Sequence, residues 1–227
     1  MQGIDLSGLR VLLTQAEDFM GPALAEVFRE LGAEVICDHG PMDAVDYPAR
    51  MISQAGQVDV LLANLGIPAP STLAQDASDE EWRHAFAHMV DPLPRISRAL
   101  LPQMLTRGSG KIILIGSASA LRGIRRASTY SAARGAQLAY IQSLGVELAG
   151  KGIQVNAIAQ NFVDNPTYFP PEVQANPALQ EKLRREVPLG RLVSAREDAM
   201  FVAYLASAHA NCFVGQIFPV CGGWVNR

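Results

Sequence analysis

The sequence predicts an α/β protein, a doubly wound parallel sheet with helices on both faces. Three observations predict it. Strand-like and helix-like segments alternate from end to end. Most strand candidates are continuous apolar runs, the pattern of strands buried on both faces. The length, 227 residues, suits one domain with a sizeable core.

The first strand candidate is Leu9–Thr14. The turn Gln15-Ala-Glu-Asp-Phe-Met20 follows, then an amphipathic helix over Gly21–Leu31 with Gly32 as its C-cap. Glu34–Cys37 is the second strand, with Asp38 just beyond it, and Asp59–Ala63 is the third, with Asn64-Leu-Gly66 at its end. Ser78-Asp-Glu-Glu81 reads as a capping box, Ser78 at the N-cap and Glu81 reaching back. It opens a helix through about Met89. Pro92 ends that helix or separates it from the next, Leu93–Leu105.

Lys111–Ile115 is the fourth strand. A long helix over Thr129–Ala149 is stopped by Gly150 and Gly152, and Ile153–Ile158 is the fifth strand. The stretch Asn161–Val193 then breaks the rhythm with Pro166, Pro170, Pro171, Pro177 and Pro188. It is too long for a plain connection and reads as a substrate loop within a single domain spanning residues 1–227. Ser194-Ala-Arg-Glu197 is a second capping box, opening a helix to Ala206, and Gln216–Val220 is the last strand.

Composition narrows the function. A net charge of −3 and the lack of a basic tract argue against a nucleic-acid binder. No apolar run reaches the length of a membrane span, and MQGIDLSGLR lacks the layout of a signal peptide. Cys37, Cys212 and Cys221 are odd in number and not in metal-type spacing, and Cys37 and Cys221 fall in or beside apolar strand-like runs, which predicts buried free thiols and a cytoplasmic setting. His84 and His88 are four apart on a helix, but no third ligand is near them in sequence, so no metal is expected.

The chemistry concentrates around Ser117, Tyr130 and Arg134. Ser117 follows the fourth strand, at the sheet edge where such folds bind ligands. Tyr130 and Arg134 are four apart at the start of the long helix and share a face. Tyrosine is a poor base near neutrality, and a fixed positive charge one helical turn away favours the phenolate. Arginine supplies a charge that stays protonated in a partly dry site. With a serine to hold the substrate oxygen, the three residues form a device for taking a proton from an alcohol.

Ser117, Tyr130 thirteen positions on and Arg134 four further resemble the catalytic set of the short-chain dehydrogenase/reductase superfamily. Asn64-Leu-Gly66, Pro188-Leu-Gly-Arg191 and Gly222-Gly223 extend the resemblance over essentially the whole chain. It implies a Rossmann-like fold of that type. The superfamily has Tyr-x-x-x-Lys where this chain has Tyr-Ser-Ala-Ala-Arg. The arginine form is similar to one offshoot, the halohydrin (haloalcohol) dehalogenases.

The first turn separates the two. The reductases carry Thr-Gly-x-x-x-Gly-x-Gly there, so that backbone can touch the pyrophosphate. Aligned on Thr14, this chain has Gln15 and Phe19 at the first two glycine positions and keeps only the third, Gly21. Phe19 would intrude on the cofactor, and Glu17 and Asp18 would repel its phosphates. Asp38, where many NAD enzymes hold the ribose, reads as a relic or a surface acid. The expectation is an enzyme without a cofactor.

Resemblance to the dehalogenases gives the vacated space a use as a halide pocket. Phe19 would line one side and Gln160-Asn161-Phe162 the other, with backbone N–H groups and ring edges facing the anion. Tyr168 and Phe169 of the long loop would cap the substrate. Arg122, Arg125 and Arg126 would rim the mouth or lie in a solvated loop, and Trp224 would pack across a subunit contact. The resemblance implies reversible closure of haloalcohols to epoxides, epoxide opening by halide, azide, cyanide or nitrite, and a homotetramer. Two alternatives stay open: an NAD(P)-dependent reductase with a degenerate glycine loop, and a non-catalytic relative.

Overall fold

A computed structural model describes residues 3–226. Among them, six strands form one sheet: β1 Arg10–Leu13, β2 Glu34–Cys37, β3 Val60–Asn64, β4 Gly110–Ser117, β5 Ile153–Gln160 and β6 Ile217–Val220. All pair in parallel, in the order β2-β1-β3-β4-β5-β6. The doubly wound sheet is therefore as the sequence predicts. The order reverses between β1 and β3, and the crevice at such a reversal, beyond the carboxyl ends of the strands, is where these folds bind ligands.

Alternate strand residues feed two cores, which is why the strands read as unbroken apolar runs. Leu13, Leu62 and Ile113 face α1 (Gly21–Glu30) and α8 (Ala195–Ala206). Leu12, Leu61 and Ile112 face α2 (Tyr47–Ala55), α4 (Pro92–Arg107) and α5 (Ser128–Leu148). The α2 helix was not evident from sequence, although Met51, Ile52 and Ala55 form its buried stripe.

Three helical readings need correction. Pro92 does separate two helices, α3 (Asp79–Ala85) and α4, but the first stops short of Met89. A five-residue π turn, Phe86–Val90, links them, with the Asp91 N–H donating to Phe86 O at 3.0 Å. Pro92 is the first residue of α4, and the wide turn before it makes room for a ring with no N–H to give. Ser78 completes half of its box, accepting from the Glu81 N–H at 3.2 Å, whereas the Ser194–Glu197 box is whole. The stretch Asn161–Val193 contains α6 (Pro171–Gln174) and α7 (Pro177–Glu186), and a Val163–Val193 bridge ties its ends.

No described helix is long and apolar enough to cross a membrane. Cys37, Cys212 and Cys221 are free thiols, but only Cys221 is buried as expected; Cys37 is half-buried and Cys212 exposed.

Candidate active site

The carboxyl ends of β1, β3, β4 and β5 open onto one cavity of about 190 Å³. All nine residues singled out from sequence line it: Ser117, Tyr130, Arg134, Phe19, Gln160, Asn161, Phe162, Tyr168 and Phe169. Ser117 ends β4 and is the register partner of Gln160 at the end of β5, which sets the serine beside the loop that follows. The Ser117 hydroxyl turns toward Ser119, donating to its Oγ at 2.9 Å and accepting from its N–H at 3.2 Å.

Tyr130 and Arg134 occupy the first turns of α5, both buried. Arg134 Nε donates to Tyr130 Oη at 3.1 Å. Its Nη1 donates to Leu65 O at 2.9 Å, Ile115 O at 3.2 Å and Gln137 Oε1 at 3.0 Å. Arg134 as a whole is 6% exposed, and none of its four partners is a carboxylate. Among the described residues no carboxylate pairs with it. A buried cation normally has a counter-ion; here the nearest group able to become one is the Tyr130 phenol.

The first turn keeps the backbone of a glycine loop without its glycines. Gln15 has φ 45° and Phe19 φ 52°, both in the left-handed region. Side chains disfavour it by about 1–2 kcal/mol per residue. Cross-links hold the turn there. Gln15 pairs its amide with the Gly66 backbone, donating from Nε2 to the carbonyl at 3.0 Å and accepting from the N–H at 2.7 Å. Asn64 Nδ2 donates to Gln15 O at 2.9 Å and Asp18 O at 3.0 Å. Gly21 survives because a Cβ there would stand 2.5 Å from Ala16 O.

A dinucleotide does not fit these residues. The Phe19 ring stands over Gly66, 3.2 Å from where a Cβ would be, in line with Arg134. Asp38 is neither relic nor surface acid: it is buried and accepts from Tyr47 Oη at 2.5 Å and the Gly40 N–H at 3.3 Å. The Tyr47 ring fills the space beside Gly40 where a side chain would go. Burial and the Asp38 carboxylate push the Tyr47 phenol up to about 12, so it stays a donor. The acid that would grip a ribose is already engaged.

The far wall comes from the long loop. The Tyr168 ring lies 5.7 Å from that of Phe19, and its hydroxyl accepts from the Ala69 N–H at 2.9 Å and donates to Ile67 O at 3.3 Å. Burial, then the neighbouring Tyr130, raises its phenol well above the ordinary range. Thr167 Oγ1 accepts from the Phe19 N–H at 3.1 Å. Phe162, at φ 53°, packs against Phe169 and Trp224 with ring centres 6.5 and 6.1 Å away.

The backbone donors expected to face an anion are engaged instead. The Asn161 N–H donates to Val220 O, and the Phe162 N–H to Asn161 Oδ1. Gln160 Nε2 donates to Asp198 Oδ2 at 2.6 Å. This loop therefore offers the cavity side chains rather than those N–H groups. Asp198 is fully buried, its Oδ1 has no partner among the described residues, and burial raises its carboxyl to about 7.

None of the three arginines lines the cavity, and all three are exposed in the loop before α5. Arg122 stacks 4.5 Å over Trp224 and donates to its carbonyl, and Arg126 binds Ser71. Ile124 and Ala127 line the cavity in their place. Trp224 packs within its own chain. Gln15, Asn64, Thr167 and Gln137 were missed as site residues, because their partners lie far away in sequence or, for Gln137, in the interior.

A family model described as enoyl-(acyl carrier protein) reductase matches residues 3–225. A putative ketoacyl reductase of Streptomyces coelicolor is 32% identical, over 96% of this chain and 88% of that protein. Among solved structures, one described as a dehalogenation enzyme superposes with a TM-score of 0.91 at 31% identity, over 97% of this chain and 99% of that one. L-sorbose reductase of Gluconobacter frateurii, complexed with NADPH and L-sorbose, reaches the same TM-score at 22% identity over 100% of both chains, a likeness of fold alone.

Proposed function

The chain belongs to the short-chain dehydrogenase/reductase family, and within it we propose a halohydrin dehalogenase that works without a nicotinamide. One pairing carries this reading. Arg134 donates to Tyr130 Oη, as a proton-transfer pair requires, while Phe19 in the first turn and an Asp38 already bound to Tyr47 speak against a dinucleotide.

In the forward reaction the Ser117 hydroxyl turns from Ser119 to hold the substrate hydroxyl. Tyr130 takes the proton of that hydroxyl. The alkoxide attacks the neighbouring carbon from behind and closes an epoxide. Halide leaves with the bonding pair into the space walled by Phe19, Asn161 and Phe162. The unneutralised Arg134 charge favours both the phenolate and the departing anion, and its stabilisation grows as charge develops. By microscopic reversibility the same site opens epoxides with halide, azide, cyanide or nitrite. The 31% identical dehalogenation enzyme supports this chemistry.

The names of the curated relatives favour a second reading, an NAD(P)-dependent carbonyl reductase. One experiment separates the two: incubate the protein with 1,3-dichloro-2-propanol, without nucleotide, and follow halide and acid. The proposal expects both to appear together and to vanish in Tyr130→Phe. No halide from any haloalcohol, with micromolar NADPH binding, would overturn it. A cytoplasmic homotetramer goes with this reading. Leu105 on α4 and Val146 on α5 are exposed apolar side chains suited to subunit contact, and light scattering tests the assembly.

A further inference from the structure

We propose that Gln137 is a positioning residue that aims the Arg134 guanidinium at Tyr130 and leaves its charge unneutralised. The inference rests on the dehalogenase reading and adds what governs the cation at its centre.

Gln137 lies three residues beyond Arg134 on α5, with no exposed surface. Its Oε1 accepts from Arg134 Nη1 at 3.0 Å. Its Nε2 donates to Leu65 O at 3.1 Å and to Met89 O at 2.5 Å. Leu65 O also accepts from Arg134 Nη1, so arginine and glutamine share an anchor at the end of β3. Met89 lies in the π turn before α4. One amide thus joins the β3 loop, the π turn and α5 behind the catalytic pair.

The choice of side chain is informative. A leucine would fill the same space with no polar atom to satisfy, but would remove one of the three acceptors of Nη1, leaving Leu65 O and Ile115 O. A glutamate would give an acceptor together with a counter-ion. A carboxylate about 3 Å from the guanidinium would compete with the phenolate and with any anion for the charge. Glutamine alone of the three supplies the acceptor and keeps the site cationic. The titratable groups lining the cavity are Tyr130, Arg134 and Tyr168, with Asp198 behind Gln160. None of them supplies a fixed negative charge beside Arg134.

The test uses full-length Gln137→Glu and Gln137→Met, with folding checked by circular dichroism. Halide release from 1,3-dichloro-2-propanol is followed against pH, and bromide binding is measured calorimetrically without substrate. In Gln137→Glu the acid limb of the kcat profile moves up by about one pH unit or more, and bromide binds about tenfold more weakly. In Gln137→Met kcat falls about tenfold with KM changed less than about threefold. A purely structural role would lower stability and move neither the limb nor bromide affinity.

Folded Gln137→Glu with an unmoved limb and unchanged bromide affinity overturns the proposal. If that variant does not fold, full kcat in Gln137→Met does so, and a tenfold loss at constant KM supports it. Should the wild type release no halide, the dehalogenase reading fails by itself. Weaker bromide binding in either folded variant then still supports Gln137, and unchanged binding overturns it. A wild type that binds no bromide removes both.

Discussion

Replacing Phe19 by glycine separates the two things this residue does. At φ 52° its backbone is strained, and glycine relieves about 1 kcal/mol of that strain. Against this, the half-buried ring gives up about 1–1.5 kcal/mol of apolar burial and about 0.5–1.5 kcal/mol of contact with Tyr168, 5.7 Å away. The Phe19 N–H keeps Thr167 in either case, because the bond is made by backbone. The expected net destabilisation is about 0.5–2 kcal/mol, measured by urea unfolding. Activity should change more. With the anion wall gone, halide release from 1,3-dichloro-2-propanol should fall about 10- to 100-fold, or about 1.4–2.7 kcal/mol of transition-state stabilisation. NADPH-dependent reduction should not appear, since Gln15 still pairs with Gly66 and Tyr47 still holds Asp38. Halide release within threefold of wild type, or a gain of hydride transfer, would refute the role given to the ring.

Two further substitutions probe the surroundings. Gly66→Ala puts a methyl 2.8 Å from Arg134 Nη2 and 3.2 Å from the Phe19 ring, so both must shift. Halide release should drop more than about tenfold in a folded protein, and an unchanged rate would show that this contact is slack. For Asp198 the sign follows from burial, which raises the folded carboxyl to about 7 from the ordinary 3.8. The folded state holds a proton that the unfolded chain releases between about pH 4 and 7. Stability is therefore highest below that window and declines through it, by up to about 4 kcal/mol. Asp198→Asn keeps an acceptor for Gln160 and should flatten this slope, making the variant more stable than wild type at pH 8. Denaturant midpoints at pH 5 and pH 8 check it, and an equal slope in both proteins would count against the buried, unpaired carboxyl.

Much of the fold was legible because burial on both sheet faces writes strands as apolar runs. Each strand lies within two residues of its expected bounds. What failed was local. Pro92 signals an end in any helix, and a π turn that accommodates it leaves no mark in composition. The α2 helix hides behind a proline-rich entry, though its Met51–Ile52–Ala55 stripe was there to be read. At the site, Ser117, Tyr130 and Arg134 were legible because strand-end position and helical spacing fix where such side chains point. Gln15 and Phe19 were seen as missing glycines, but their left-handed backbone was not foreseeable from side chains that disfavour it. It exists because Gly66 and Asn64, about fifty residues away, bind the turn. A distant partner, Val220 O, also explains why the Asn161 N–H is engaged, whereas the Phe162 N–H is taken by the side chain of its neighbour Asn161.

On the proposed mechanism, the departing halide occupies the space beside the first turn. Crystals soaked in bromide and measured at the bromine absorption edge test it most directly. An anomalous peak is expected between Phe19 and the Asn161–Phe162 turn, within the cavity that Tyr130 and Arg134 line. A cavity free of bromide, in crystals that instead take up NADPH along the first turn and Asp38, would contradict it.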